Sequence, residues 1–182
     1  MSNDTTDSPQ PPQSLSRPSG ASIAYHTHSG APSNILPGIV FMTGFMSDMD
    51  GDKALTLEKY ARERGQAFLR FDYFGHGQSS GKFADGHIGI WAADALAVLD
   101  ELTEGPQILI GSSMGGWIML LTAIARPKRI VGLVGLAAAP DFTEDLLPNE
   151  LTPELMAEVE TNGFVTVASE FEDDYIFTKA LF

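Results

Sequence analysis

The chain has 182 residues, 43% of them hydrophobic, a formal net charge of −13 and no cysteine. That length fits one domain with enough apolar residues for a real core, and the lack of cysteine excludes a disulfide scaffold, cysteine–zinc sites and a thiol nucleophile. The charge argues against nucleic acid or an anionic membrane surface as the main partner, because both need a basic patch.

Residues 1–19 are mostly Ser, Thr, Asp, Gln and Pro, and they predict a disordered tail, too polar to offset its ordering entropy. The opening segment has no charged-then-apolar leader pattern, and a lone Arg17 makes a poor transit peptide. With the absence of cysteine, this predicts a cytoplasmic protein. No apolar run reaches the roughly 18 residues of a membrane span. Ala21–Tyr25 is a candidate short strand. Ile35–Thr43 reads as a strand buried on both faces. Asp52–Arg64 reads as a helix whose apolar positions Ala54, Leu57, Tyr60 and Ala61 recur at three- and four-residue spacing, closed by Gly65.

Ala67–Asp72 is the next strand, followed by a glycine-rich loop over Tyr73–Gly86 and a helix over Ile90–Leu102. Gln107–Ile110 is a strand, Met114–Ala125 a helix ended by Pro127, and Ile130–Leu136 another strand. Strands alternating with helices across short links predict βαβ units and a mostly parallel sheet between helix layers. Ligands of such sheets bind at the carboxyl ends of the strands. Residues 20–140 therefore read as an α/β core. After Pro140 the alternation stops, and residues 141–182 hold eleven acidic residues against one basic, Lys179. Asp141–Glu160 reads as helical, Phe164–Ala168 is ambiguous, and Tyr175–Phe182 begins an amphipathic element. This acidic stretch is most simply a solvated face.

Gly111-Ser112-Ser113-Met114-Gly115 lies between a predicted strand and a predicted helix, the setting of a G-x-S-x-G nucleophile elbow. The register selects Ser113, since Ser112 would be flanked two residues away by Ile110 and Met114. A serine hydroxyl attacks only when exposed, held and deprotonated. The helix that follows brings its N-terminal dipole and free N–H groups to a developing oxyanion, with the Met114 N–H as first donor. The second donor is expected from the loop after Ile35–Thr43, at the Phe45 N–H, with Gly44 letting the backbone turn toward Ser113. Elsewhere the readings are structural. Asp72 should bond turn amides with His76 partly exposed beside it. His26 and His28 should be solvated, and His87 should start a helix. Trp91 and Trp117 belong to the core.

Together these residues resemble the α/β-hydrolase superfamily, in particular the branch containing the mitochondrial acyl-glucuronide esterase and palmitoyl-protein thioesterase with its bacterial relatives. Gly51–Leu55, Leu69–Tyr73, Gly105–Trp117 and Ala123–Pro127 carry the resemblance, which spans roughly residues 35–136. It implies a cofactor-free and metal-free serine hydrolase acting on a small-molecule carboxylic ester or acyl thioester. It also implies that the acidic segment begins a cap shaping an acyl pocket. One departure matters. Triad order in this fold is Ser, then Asp or Glu, then His, whereas all four histidines here precede Ser113. Asp141 could serve as the acid. The missing base predicts that the chain is C-terminally truncated, lacking the last strands and helices of the fold, and inactive as it stands. Ile130–Leu136 would then be an uncovered sheet edge prone to pairing. A non-catalytic binding protein of the same fold, or a related serine acyltransferase, are the alternatives.

Overall fold

The computed structural model describes residues 10–33, 35–168 and 174–182. Six strands form one sheet: β1 (Gln13–Ser16), β2 (Ser22–His28), β3 (Gly38–Met42), β4 (Phe68–Phe71), β5 (Gln107–Ser112) and β6 (Ile130–Leu136), in the order β1-β2-β4-β3-β5-β6. The last four are parallel, while β1 and β2 pair antiparallel at the other edge. Three helices connect the parallel strands: α1 (Asp52–Glu63), α2 (Ile88–Leu102) and α3 (Met114–Ala125).

Period-two alternation divides the core into two. On β3, Val40 and Met42 join Leu69, Leu109, Trp91, Val98 and Ile118 beneath α2 and α3. Ile39 and Phe41 of the same strand join Phe68, Ile110, Ala54 and Ala61 beneath α1. Successive side chains of a strand point to opposite faces, so β3 has to be apolar throughout, and all five of its residues are buried.

The α1 stripe differs from the predicted one. Ala54 and Ala61 are buried, but Tyr60 is 50% exposed and Glu58 is buried in its place. Arg70, buried on β4, is the reason. Its Nε donates to Glu58 at 2.7 Å, and Arg62 Nε donates to the other oxygen of Glu58 at 2.9 Å. Burial pushes the Glu58 carboxyl up, but the bonds from Arg70 and Arg62 hold it below the usual carboxylate range. A buried carboxylate with two such partners is retained, because removing one would strand the other.

The predicted tail is also corrected. Residues 1–9 lie outside the described residues, but Gln13–Ser16 is a strand. Leu15 packs on the core, and Arg17 reaches α2, donating to the Ala93 carbonyl and pairing with buried Asp94. Pairing with β2 and these anchors supply what local composition does not.

β6 stands at the sheet edge with Val131, Leu133 and Val134 exposed. Beyond it come three short helices, α4 (Phe142–Asp145), α5 (Leu147–Glu150) and α6 (Pro153–Asn162), and then an antiparallel pair, β7 (Phe164–Val167) and β8 (Tyr175–Thr178). Thr152 caps α6, accepting from the Leu155 N–H, and Gly163 closes it at φ 83°. The acidic segment is thus helical in pieces, and the ambiguous stretch is a strand. Phe142, Leu147, Leu151, Val159, Val165, Phe177 and Leu181 bury its inner side against the main core. No helix among the described residues is long and apolar enough to cross a membrane.

Candidate active site

The chain runs from β3 outward to β4 and then back across to β5 on the other side of β3. A crevice opens at the carboxyl ends of two adjacent parallel strands whose connections leave in opposite directions, and ligands of open α/β sheets bind there. Met42 and Gly111 are in register at that place, and both loops singled out in the sequence leave from it.

Ser113 sits between β5 and α3 with φ 52° and ψ −122°, a positive-φ conformation that a residue with a side chain rarely adopts. Hydrogen bonds on both sides enforce the turn. The Ser113 N–H donates to the Leu136 carbonyl at 3.0 Å, while its carbonyl accepts from Gly116 at 2.8 Å and Ala139 at 3.1 Å. The side chain is left exposed. The flanking glycines are required by contact. A methyl on Gly111 would strike the Gly115 carbonyl, and one on Gly115 would strike the Met42 and Thr43 carbonyls. Ser112 is buried, as the register argument requires.

Gly44 faces this turn: a methyl there would lie 3.4 Å from Ser113 Cβ. The loop then closes in a tight turn, with the Ser47 N–H donating to the Gly44 carbonyl at 3.2 Å. Phe45 therefore leaves the strand end directly beside Ser113. Met114 opens the 12-residue α3, whose first-turn N–H groups have no acceptor one full turn earlier within the helix and carry the positive end of its dipole. A cavity of about 290 Å³ lies between this loop and the start of α1, bordered by Thr43, Gly44, Ser47, Lys53 and Ser112.

The four histidines are placed elsewhere. His26 and His28 are on β2, half-buried rather than solvated, and Arg62 lies 3.2 Å from His28 Nδ1. His87 caps α2, accepting from the Gly89 N–H at 3.1 Å. His76 is buried, not partly exposed as the sequence predicts. Its ring is enclosed edge-on by Tyr73, Phe83 and Trp91 at 5.0–5.6 Å. Burial lowers it to about 4, against a smaller rise from its bond to the Phe74 carbonyl. Asp72 does bond turn amides, accepting from Met49 at 2.7 Å and Gln78 at 2.8 Å. Asp141 is exposed, with a left-handed backbone at the start of α4. Trp91 is fully buried, and Trp117 half-buried against Phe142.

Residues 39–170 match the model of the Hydrolase_4 family, serine aminopeptidase S33. The chain belongs to this family. Its architecture is that of the α/β hydrolases. It superposes on a putative hydrolase from Agrobacterium vitis S4 with a TM-score of 0.85, at 37% identity, over 94% of this chain and 70% of that one. For the alpha/beta hydrolase domain-containing protein 10 from mouse the values are 0.80, 38%, 93% and 67%. Human mitochondrial palmitoyl-protein thioesterase ABHD10 is 41% identical over 163 residues, covering 90% of this chain and 52% of the relative. The chain thus spans about half the length of the curated relatives it matches. They also overturn the cytoplasmic expectation, since they are mitochondrial proteins by name. Lack of cysteine bears on disulfides and does not select one compartment.

Sequence reasoning missed the environment of the Phe45 ring. Its partners come from four separate stretches of chain: Phe83, Trp91, Phe142, and Tyr175 with Phe177. The apolar run Tyr175-Ile176-Phe177 was the available signal, a strand needing partners.

Proposed function

We propose that this chain carries the nucleophile and oxyanion hole of a serine hydrolase cleaving carboxylic esters or thioesters, with residues 141–182 forming part of a cap over the site. One observation carries the reading: Ser113 is held exposed in a disfavoured backbone conformation at the switch point of the sheet, with Gly44 packed against its Cβ. Strain of this kind persists only where the surroundings over-determine it.

In the proposed reaction Ser113 Oγ attacks the acyl carbon, and the carbonyl oxygen becomes an oxyanion held by the Phe45 and Met114 N–H groups. The alcohol or thiol leaves with the proton taken from Ser113, and water then releases the acid from the acyl-enzyme. His76 is buried away from solvent and His87 caps a helix, so neither serves as the base. We place the base and its carboxylate in sequence outside these 182 residues. The curated relatives, about twice as long, include a palmitoyl-protein thioesterase, which favours a long-chain acyl thioester as substrate.

The test is turnover of acyl esters and thioesters of increasing chain length by the whole protein and its Ser113→Ala variant. Loss of turnover to the background rate is expected, because removing the nucleophile leaves only the oxyanion hole and binding. Unchanged turnover would sink the assignment and favour a non-catalytic binding protein.

A further inference from the structure

The acidic segment touches the loop proposed to supply the second oxyanion donor at two consecutive residues. The Phe45 ring stacks on Phe177, with centroids 5.5 Å apart and planes 15° apart, and lies 6.3 Å from Tyr175. Its other faces meet Phe83 at 5.0 Å and Phe142 at 5.8 Å edge-on. The next residue, Met46, accepts at Sδ from the backbone N–H of Ile176 over 3.3 Å. Three successive residues of β8 therefore hold two successive residues of the loop.

Strand geometry makes this possible. Tyr175 and Phe177 share one face of β8, while the Ile176 N–H lies in the plane of the pair and points away from β7. Met46 has φ 54°, a left-handed conformation that a residue with a side chain adopts only under constraint. A donor in an oxyanion hole needs a fixed direction, and the ring and the N–H of Phe45 belong to one residue on a short turn. Gripping the ring fixes the Cα from which the Phe45 N–H departs, and gripping the following sulfur holds the next residue, so the turn that aims this N–H is held from its far side.

We propose that β8 positions the oxyanion loop, with Phe177 as its positioning residue, so that the acidic segment sets the rate of acyl transfer as well as covering the site. This rests on the reading of Ser113 and Phe45 given above.

The test uses the whole protein and its Phe177→Ala, Phe177→Leu and Phe177→Tyr variants. The substrates are p-nitrophenyl acetate, whose two-carbon acyl group is too short to span a pocket wall and on which kcat is read, and p-nitrophenyl palmitate for comparison. Phe177→Ala is expected to lower kcat about tenfold with KM within about twofold, less than loss of a whole donor. Phe177→Tyr, which keeps the stack, should restore most of it. In the same variants, the Phe45 and Met46 amide signals in ¹⁵N-edited NMR spectra should shift for Ala and return for Tyr. Should Phe177→Ala fail to fold, Phe177→Leu, which keeps bulk and loses the stack, is read in its place. An unchanged kcat with unmoved amides overturns the proposal. So does a rise in KM confined to long-chain esters, which would make Phe177 a pocket wall. Turnover surviving in Ser113→Ala would instead sink the active-site reading, while the amide shifts would still report whether β8 holds the loop.

Discussion

Two glycine-rich loops leave the same edge of the sheet, one after β5 and one after β4, and they turn their polar side chains in opposite directions. The β5 loop presents Ser113 to solvent on a disfavoured backbone. The β4 loop folds Asp72, Tyr73 and His76 inward, all nearly or fully buried, and ties down Asp72. Asp72 holds two backbone N–H groups, Ser79 Oγ donates to the Asp72 carbonyl at 2.6 Å, and the Ala24 N–H donates to Ser79 Oγ at 2.8 Å. Glycines and serines appear in both. What separates them is burial: the β4 side chains are enclosed, Asp72 with partners and the Tyr73 hydroxyl and His76 Nε2 without one among the described residues, whereas the Ser113 side chain is exposed. The β4 loop is a fastener between β2, the loop ahead of α1 and α2. The β5 loop is held by backbone bonds, and the Ser113 side chain is left exposed.

That contrast can be broken at four places. Asp72→Ala would leave the Met49 and Gln78 N–H groups without their acceptor, which at about 2 kcal/mol for each unmatched group amounts to about 4 kcal/mol. Urea denaturation should show it, and a loss under 1 kcal/mol would mean that Asp72 is not the fastener. The second test is pH. His76 is lowered from 6.5 to about 4, so the unfolded chain binds a proton in this window that the folded chain does not. Its contribution is fully present above pH 6.5 and is lost as pH falls toward 4, by about 3 kcal/mol in all. Urea midpoints of wild type and His76→Asn across pH 4–7 should differ in slope with that sign.

Third, Gly115→Ala would drive a methyl into the Met42 and Thr43 carbonyls and should cost about 2 kcal/mol by overpacking. Wild-type stability in that variant would show that α3 does not abut the end of β3. The smallest effect has the opposite sign. Ser113→Gly should stabilise the fold by about 1 kcal/mol, because glycine accepts the backbone angles that serine resists. A destabilised variant would remove strain from the description of this turn. The β4 loop would thus hold only losses of stability, and the β5 loop one gain, at the residue proposed to react.

Much of the alternating part was legible in the chain itself. Met114–Ala125 and Ile130–Leu136 fall on the predicted boundaries, because glycine or proline brackets each apolar run. The elbow was legible because its register is a matter of which residues flank a serine at two positions. What was not legible depended on distant partners. Glu58 reads as a solvent-facing residue until Arg70, twelve positions on, is placed opposite it. β1 reads as loose chain until β2 and Arg17 anchor it. His76 reads as half-exposed until Phe83 and Trp91 close over it. Of the candidate site, the sequence held the residues beside Ser113 but not the contacts of Phe45, because its five rings are scattered between positions 83 and 177.

β3 and β6 differ in one further respect that deuterium would read directly. β3 has parallel neighbours on both sides, so every amide along Gly38–Met42 has a strand facing it. Among the described strands β6 has β5 alone, and amides of a strand point alternately to either side, so every second amide along Ile130–Leu136 faces outward. Exchange along β6 should therefore run fast and slow with a period of two residues, while β3 stays uniformly slow. The pattern would fade wherever another strand, from this chain or from a second copy, comes to lie along that edge.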